Sequence, residues 1–86
     1  MSGQVVNVKV LLFAQARERA GRQNVALALA PGARVGDALD ALERAHPELA
    51  ALRPHLAVAV NGALARDGDA VPDGAELALL PPVSGG

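Results

Sequence analysis

The last two residues, Gly85 and Gly86, are the ones best suited to chemistry, because they carry a terminal carboxylate on the thinnest peptide that a chain can form. A carboxylate is ionised at neutral pH and is a poor electrophile, so it has to be activated before it can react. Adenylation would provide a leaving group, and attack by sulfide or a persulfide would then leave a thiocarboxylate that can donate sulfur. An amine or a thiol acceptor would instead give an amide or a thioester, and the residues alone leave these outcomes open.

The segment before this carboxylate is suited to project from a folded domain. Glycine loses more backbone freedom on ordering than any other residue, so we expect the terminal pair to be held only by a partner. Two prolines favour an extended stem, and residues 81–86 can span about 20 Å. The sequence therefore predicts a domain over residues 1–80 and a reactive tail over residues 81–86. In this prediction Gly86 reacts, and the partner contacts Leu80, Pro81, Pro82, Val83, Ser84 and Gly85.

Other reactive side chains lack the neighbours that their chemistry requires. The chain has no cysteine, which excludes a disulfide, a thiolate metal site and a cysteine nucleophile. His46 and His55 have no second ligand at helical spacing, so we expect surface or capping roles for both. Ser84 has no histidine and carboxylate constellation that would make it a nucleophile. We predict that this chain holds no metal and carries no catalytic side chain.

The acidic residues near the end of the chain do not complete a calcium loop. Asp67 and Asp69 have suitable spacing, but the later ligand positions are occupied by Val71, Pro72 and Ala78. We expect solvated turn roles for the acidic residues Asp67, Asp69, Asp73 and Glu76. The sequence also has neither of the glycine-rich motifs that bind nucleotide phosphates, so we predict that the chain itself binds no ATP and no other cofactor.

The composition predicts one small domain with an apolar core. The chain has 86 residues, of which 51% are hydrophobic, and a formal net charge of -1. Lys9 is the only lysine and the arginines are scattered, so no basic patch indicates a nucleic-acid partner. The first residues lack the features of a signal peptide, and no apolar stretch approaches the ~20 residues of a membrane span. We therefore expect a cytoplasmic protein that binds neither nucleic acid nor membrane.

Apolar periodicity predicts four or five short strands and one main helix. The strands are expected at residues 5–13, 25–29, 56–60 and 76–80, and the helix at residues 35–45. The remaining segments predict a short helical turn at 14–20 closed by Gly21, an irregular or single-turn connection at 48–53, and a short edge strand or loop at 63–71. A strand at each end and only one full helix favour the α+β class and a β-grasp arrangement, in which a mixed sheet packs on the helix.

The predicted sheet is apolar on both sides. Alternation directs toward the helix Val6, Val8, Val10, Leu12, Leu77 and Leu79. The opposite side, which we call the outer face, then carries Leu11, Phe13, Ala57, Ala59, Ala78 and Leu80. Sizeable apolar patches mark interfaces, so we predict that a partner docks here and contacts Phe13, the only aromatic residue. The alternative is that these are ordinary exposed apolar residues without a role.

Three segments, residues 8–18, 58–62 and 73–86, resemble the small subunit of molybdopterin synthase. The specific motifs are Phe-Ala-x-x-Arg-Glu, which begins at Phe13, and the ending Pro-Pro-Val-Ser-Gly-Gly. The resemblance implies a ubiquitin-like β-grasp fold and a role as sulfur carrier in molybdenum cofactor biosynthesis. One departure is Arg34, which stands where the family usually has a serine or threonine helix cap; we expect a local cost of about 1 kcal/mol.

The resemblance also implies a set of partners. A ubiquitin-activating-like adenylyltransferase would use ATP to adenylate Gly86, and a sulfurtransferase would supply the sulfur of a thiocarboxylate. The tail would then enter the large subunit of molybdopterin synthase, which holds the catalytic residues, and pass its sulfur to cyclic pyranopterin monophosphate. The synthase would be a heterotetramer with two copies of each subunit. Carriers for thiazole, cysteine or transfer-RNA thiolation, and protein modifiers joined through Gly86, share the tail and remain alternatives.

Overall fold

The computed structural model describes residues 5–81, which form a mixed five-stranded sheet, two α-helices and a 3₁₀ segment. In chain order the elements are β1 (Val6–Leu12), α1 (Ala14–Ala20), β2 (Asn24–Leu29), α2 (Val35–Ala45), the 3₁₀ segment (Pro47–His55), β3 (Ala57–Val60), β4 (Ala63–Ala65) and β5 (Glu76–Leu80). Neither α-helix among these residues is long and apolar enough to cross a membrane.

The strands are arranged in the order β2-β1-β5-β3-β4, with the first and last strands of the chain side by side at the centre. β1 and β5 are parallel, whereas β2 on one side and β3 and β4 on the other are joined by antiparallel pairing. This is the β-grasp topology, so the predicted fold class is confirmed. Because β5 is central, the chain leaves the sheet at its middle and not at an edge.

The core lies between the sheet and α2. The predicted inward residues of β1 and β5 are covered, and Val10, Leu77 and Leu79 are each at most 1% exposed. They pack against the stripe of α2 formed by Val35, Ala38, Leu39 and Leu42. Burying a large aliphatic side chain contributes about 1.5–3 kcal/mol, so this side of the sheet accounts for the stability of the domain.

The connection after α2 differs from the prediction of an irregular or single-turn link at residues 48–53. It is a nine-residue 3₁₀ segment that directs Leu49 and Leu52 into the core. A 3₁₀ helix has three residues per turn, so two leucines spaced by three fall on one side. The strand that follows begins at Ala57, one residue later than predicted, because Leu56 still closes the 3₁₀ segment with extended geometry.

The expected cost of Arg34 at the start of α2 is offset by other groups. The Asp37 carboxylate accepts a hydrogen bond from the Arg34 backbone N–H at 2.9 Å, which is one half of a capping box. The next two backbone N–H groups, of Val35 and Gly36, donate to the carbonyls of Asp69 and Asp67, each at 2.9 Å. The loop after β4 therefore satisfies donors that a serine or threonine would otherwise serve.

Two positive-φ positions confirm predicted turns. Gly21 ends α1 in the left-handed conformation with φ of 72°, and its N–H donates to the carbonyl of Arg17. Asn61 and Gly62, with φ of 50° and 88°, form a two-residue hairpin between β3 and β4. Two consecutive positive φ angles match the twist of the paired strands, which explains the choice of Asn-Gly here.

Candidate functional site

The outer face is an apolar surface that runs across four of the five strands. In the register of the sheet, Leu11 of β1 pairs with Ala78 of β5, Ala78 with Ala59 of β3, and Ala59 with Leu64 of β4. A second pair, Ala57 and Leu80, lies two residues closer to the tail. The predicted residues of β1, β3 and β5 are therefore brought onto one side by the sheet, opposite α2.

Two residues of this surface differ from the prediction. Ala59 lies on the outer face but is only 7% exposed, because its single methyl group sits between its neighbours on β4 and β5. Leu64, which the sequence did not place, is 76% exposed and extends the apolar row to the sheet edge. The segment around Leu64 predicted an edge strand or loop without a register, and only the register with β3 could have assigned its side.

Phe13 lies at the end of the outer face from which the tail departs. Leu12 and Leu79 are register partners on the parallel central strands, so Phe13 and Leu80 follow them at the same level of the sheet. Phe13 keeps extended geometry, with φ of -127° and ψ of 156°, and is 41% exposed. The next residue, Ala14, has φ of +51° and turns the chain into α1. This turn ends β1 one residue after Leu12.

A groove of about 370 Å³ adjoins Phe13 and the start of the tail. Its walls come from the β1–α1 turn, the end of the 3₁₀ segment and the first tail residue. The lining residues are Phe13, Ala14, Gln15, Leu52, His55, Leu56 and Pro81. We call this the tail-root groove. The sequence analysis did not predict it, because the 3₁₀ segment that forms one wall was not recognised.

The predicted site residues thus divide into two groups. Phe13, Leu80 and Pro81 are brought together where β1 and β5 end. The other predicted contacts, Pro82, Val83, Ser84 and Gly85, lie outside the described residues, and so does the predicted reactive residue Gly86. Their roles and the boundary between domain and tail remain predictions.

The strongest electrostatic feature lies away from the outer face. Arg53 Nη1 is 2.6 Å from Asp40 Oδ1 and 2.9 Å from Glu43 Oε2, and its Nη2 is 3.6 Å from Asp67 Oδ2. The hydrogen bond to Asp40 is the main reason that the pKa of Arg53 is raised above its usual value. This cluster ties the 3₁₀ segment to α2 and to the loop after β4, so it supports one wall of the tail-root groove.

The other acidic and histidine side chains have local structural partners. Asp73 accepts a hydrogen bond from the Asn7 backbone N–H at 2.7 Å, and Asp69 accepts one from that of Arg66 at 2.8 Å. His46 Nδ1 lies 3.3 Å from Glu48 Oε2. In the part of the chain from residue 5 to 81, no three of the potential metal-ligating side chains converge on one point.

Comparison with known proteins agrees with this architecture. The sequence model of the ThiS family matches residues 10–86. The chain belongs to the ThiS family. Small archaeal modifier protein 1 of Haloferax volcanii is 47% identical over 83 residues, which cover 87% of this chain and 95% of the relative. The molybdopterin synthase sulfur carrier subunit of Chlamydomonas reinhardtii is 39% identical, and the match covers 94% of this chain and all of the relative.

Solved structures support the same assignment. The crystal structure of small archaeal modifier protein 1 from Haloferax volcanii superimposes with a TM-score of 0.84 at 43% identity, covering 93% of this chain and 99% of that one. The resemblance to the small subunit of molybdopterin synthase is therefore confirmed at the level of the family and the fold. Within that family, relatives of similar identity are named either as sulfur carriers or as protein modifiers.

Proposed function

We propose that this chain is the sulfur carrier subunit of a molybdopterin synthase, with the carboxylate of Gly86 as its working group. The observation that carries the proposal is the departure of the chain from the centre of the sheet at Pro81, beside the exposed Phe13 and the tail-root groove. A partner that covers the outer face is thereby aligned with the segment that leads to Gly86. The name shared by relatives at 39% and 38% identity supports sulfur as the cargo.

The chemistry starts with activation of the Gly86 carboxylate by a ubiquitin-activating-like enzyme. A carboxylate oxygen attacks the α-phosphorus of ATP, pyrophosphate leaves, and an acyl adenylate forms. A sulfide equivalent delivered by a sulfurtransferase attacks the acyl carbon, forming a C–S bond as the C–O bond to AMP breaks. The product is a thiocarboxylate, whose sulfur is a soft nucleophile. ATP is a substrate of the activating enzyme, so the chain needs no cofactor of its own.

Sulfur delivery takes place in the large subunit, which binds the outer face and admits the tail. Two glycines at the end carry no Cβ atoms, so they fit a narrow channel that a bulkier residue would block. The thiocarboxylate sulfur attacks cyclic pyranopterin monophosphate, and water then returns Gly86 to a carboxylate. Two deliveries complete a dithiolene, which suits a heterotetramer with two carriers. Catalytic side chains are supplied by the large subunit, and the reaction belongs to the cytoplasm.

Reconstitution with the large subunit tests this function. The thiocarboxylated chain, the large subunit and cyclic pyranopterin monophosphate should yield molybdopterin, and the chain should return to its carboxylate mass. Deletion of Gly86 shortens the reach by about 3.5 Å and should abolish product. The matched variant Gly86→Ala retains the reach but adds one methyl group, so it separates the length of the tail from its thinness. Full product formation by the deletion variant would exclude Gly86 as the donor.

The identity of the partner distinguishes the proposed pathway from related ones. Purification of the full chain from cells that make it, with the bound protein identified, should yield a pterin-binding large subunit. A thiazole, cysteine or transfer-RNA thiolation enzyme in its place would assign the carrier to that pathway.

A second candidate function is conjugation to proteins through Gly86. The observation that favours it is the 47% identity to a relative named as a modifier protein. In this case the activated acyl carbon of Gly86 is attacked by a lysine amine of a target, and an isopeptide bond forms. Trypsin cleaves after Arg66 and no later, so the remnant on a target lysine is the peptide 67–86. Absence of this branch from the proteins of competent cells would remove the second function.

A further inference from the structure

Lys9 has a position in this molecule that neither the sulfur-carrier nor the modifier role explains. It is the only lysine in the chain, whereas the other basic residues are seven arginines. The guanidinium of arginine stays protonated under all ordinary conditions, so it cannot act as a nucleophile. Apart from the N-terminal amine, Lys9 is therefore the single amine with which this chain could accept an acyl group.

The side chain of Lys9 is presented on the side of the sheet that carries the outer face. Lys9 lies within β1, is exposed, and alternates with the buried Val8 and Val10. Its neighbour across the sheet is Glu76 of β5, but within residues 5–81 no carboxylate lies within 4 Å of the Lys9 amine. The amine is thus accessible and is not held by an ion pair in the described part of the chain.

Leu11 of the outer face is two residues from Lys9 on the same strand and the same side, at a distance of about 7 Å. A peptide attached to Lys9 would cover the row that Leu11 forms with Ala78. A partner that docks on this row needs close apolar packing, so an attached peptide would exclude it. Modification of Lys9 and docking on the outer face are therefore mutually exclusive.

The topology directs such a linkage to a second copy of the chain. Lys9 is level with Glu76, the first residue of β5, whereas the tail departs after Leu80, the last. β1 and β5 are parallel, so the tail would have to reverse and run back about 13 Å to reach its own Lys9. That distance requires four of the six tail residues, and the two left for the reversal are prolines, which favour an extended path.

We propose that Lys9 is a modification site at which a second copy of the chain is attached through its activated Gly86. The neutral Lys9 amine attacks the acyl adenylate of the other copy; a C–N bond forms, the C–O bond to AMP breaks, and the amine loses a proton. The product is an isopeptide-linked dimer whose acceptor copy has a blocked outer face. This proposal rests on the activation of Gly86 described above, and it adds a way to withdraw carriers from sulfur transfer.

The linkage is tested with the full chain isolated from cells that contain its activating enzyme. Acylated Lys9 resists trypsin, so a Lys9-linked dimer should give peptide 1–17 joined to the branch 67–86, whereas attachment at the N-terminal amine gives peptide 1–9 joined to it. The matched variant Lys9→Arg keeps the charge and should abolish the dimer while its C-terminal thiocarboxylate forms at the wild-type level. Dimers that persist in this variant would overturn the proposal.

The same samples separate failure of this inference from failure of the proposed function. If wild-type chain carries the thiocarboxylate and no Lys9-linked dimer is found, the site at Lys9 is refuted and the sulfur-carrier role stands. If neither the thiocarboxylate nor a dimer forms, activation of Gly86 fails and both proposals fall with it.

Blocking of the outer face is tested without enzymatic activation. Because the chain has no cysteine, Lys9→Cys and Arg44→Cys can each be joined through a maleimide to a synthetic peptide with the sequence of residues 81–86. Arg44 is exposed on α2, on the opposite side of the sheet. The peptide at position 9 should weaken binding of the purified large subunit at least about tenfold, as expected for a blocked interface centre, and that at position 44 should not. Equal binding of the two adducts would refute the blocking mechanism.

Discussion

The two faces of the sheet have nearly the same composition and opposite environments. On the inner face, the large aliphatic residues of β1 and β5 are almost completely covered by α2 and the 3₁₀ segment. On the outer face, the same strands and β4 present leucines, alanines and Phe13, of which Phe13 and Leu64 are 41% and 76% exposed. Apolar character alone therefore does not distinguish a core from a docking surface; the difference lies in what the chain places over it.

The tail makes the comparison informative about function. The strand that carries the tail, β5, contributes Leu77 and Leu79 to the core and Ala78 and Leu80 to the outer face. The inner pair fixes the strand in the domain, and the outer pair leads directly to Pro81. If this division is correct, substitutions on the inner face change stability, whereas those on the outer face change binding.

The largest effect is expected from truncation of an inner leucine. Leu77 is 0% exposed, and Leu77→Ala should lower the free energy of unfolding by about 2–5 kcal/mol through lost contacts and a cavity. The matched change on the other side, Leu64→Ala, should shift it by no more than about 0.5 kcal/mol. Urea denaturation of both variants measures the difference. Similar losses for the two would mean that the faces are not divided as described.

The next effect concerns binding at the outer face. Phe13→Ala should weaken binding of the large subunit by about 2 kcal/mol, which is roughly 30-fold, with little loss of stability. Val5→Ala is the control, because Val5 is 48% exposed and lies at the end of the sheet remote from the tail. Titration calorimetry should separate the variants. Equal affinities for both would remove Phe13 from the interface.

A smaller effect is expected at the ion-pair cluster that supports the tail-root groove. Arg53→Met keeps the bulk of the side chain but removes contacts to Asp40 and Glu43, and should cost about 1 kcal/mol because the cluster is partly solvated. Arg44→Met should have no effect, since Arg44 has no ion pair within residues 5–81. The difference between the variants should shrink in 1 M salt, a concentration at which the screening length is about 3 Å. A salt-independent difference would indicate packing instead.

The pH dependence of this cluster follows from the raised pKa of Arg53. A cation whose pKa is higher in the folded state stabilises the fold below its unfolded pKa, and this contribution is lost as the pH rises through the folded pKa. For arginine both values lie above the ordinary working range. The contribution of Arg53 protonation should therefore be constant from neutral pH upward to about pH 10, as unfolding experiments in that range can check.

The smallest effect is expected at the turn that presents Phe13. Ala14 has φ of +51°, which costs an alanine about 1–2 kcal/mol, and glycine relieves this cost but loses part of the gain through backbone entropy. Ala14→Gly should be neutral or stabilising by about 0.5 kcal/mol. Ala20→Gly, in the same short helix, should instead destabilise by about 1 kcal/mol. Thermal unfolding of the pair provides the measurement, and a loss at position 14 as large as at position 20 would contradict the strain.

Much of the fold was accessible from the sequence because its signals are local. Alternation in β1 and β5, the stripe of α2 and the Asn-Gly turn each specify structure within a few residues. The 3₁₀ segment was missed because its two buried leucines are spaced by three, a period that resembles neither a strand nor an α-helix. The start of α2 was misjudged because its partners, Asp67 and Asp69, are some thirty residues away.

The candidate site was predictable in part for the same reason. Side-chain alternation correctly placed Leu11, Ala78 and Leu80 on the outer face. Leu64 required the register between β3 and β4, and the tail-root groove required the path of the 3₁₀ segment, neither of which is local in sequence. What the tail does depends on enzymes outside the chain, so its chemistry can be proposed from the sequence but not read from the domain.

The central claim, that Gly86 carries the sulfur, is tested most directly by the mass of the intact chain after co-production with its activating enzyme and sulfur source. Fragmentation of the intact protein should show one oxygen exchanged for one sulfur, located in the fragment that contains Gly86. The Gly86 deletion variant provides the matched control and should show no exchange. An unchanged mass in the wild-type chain under conditions in which the activating enzyme is demonstrably active would contradict the account.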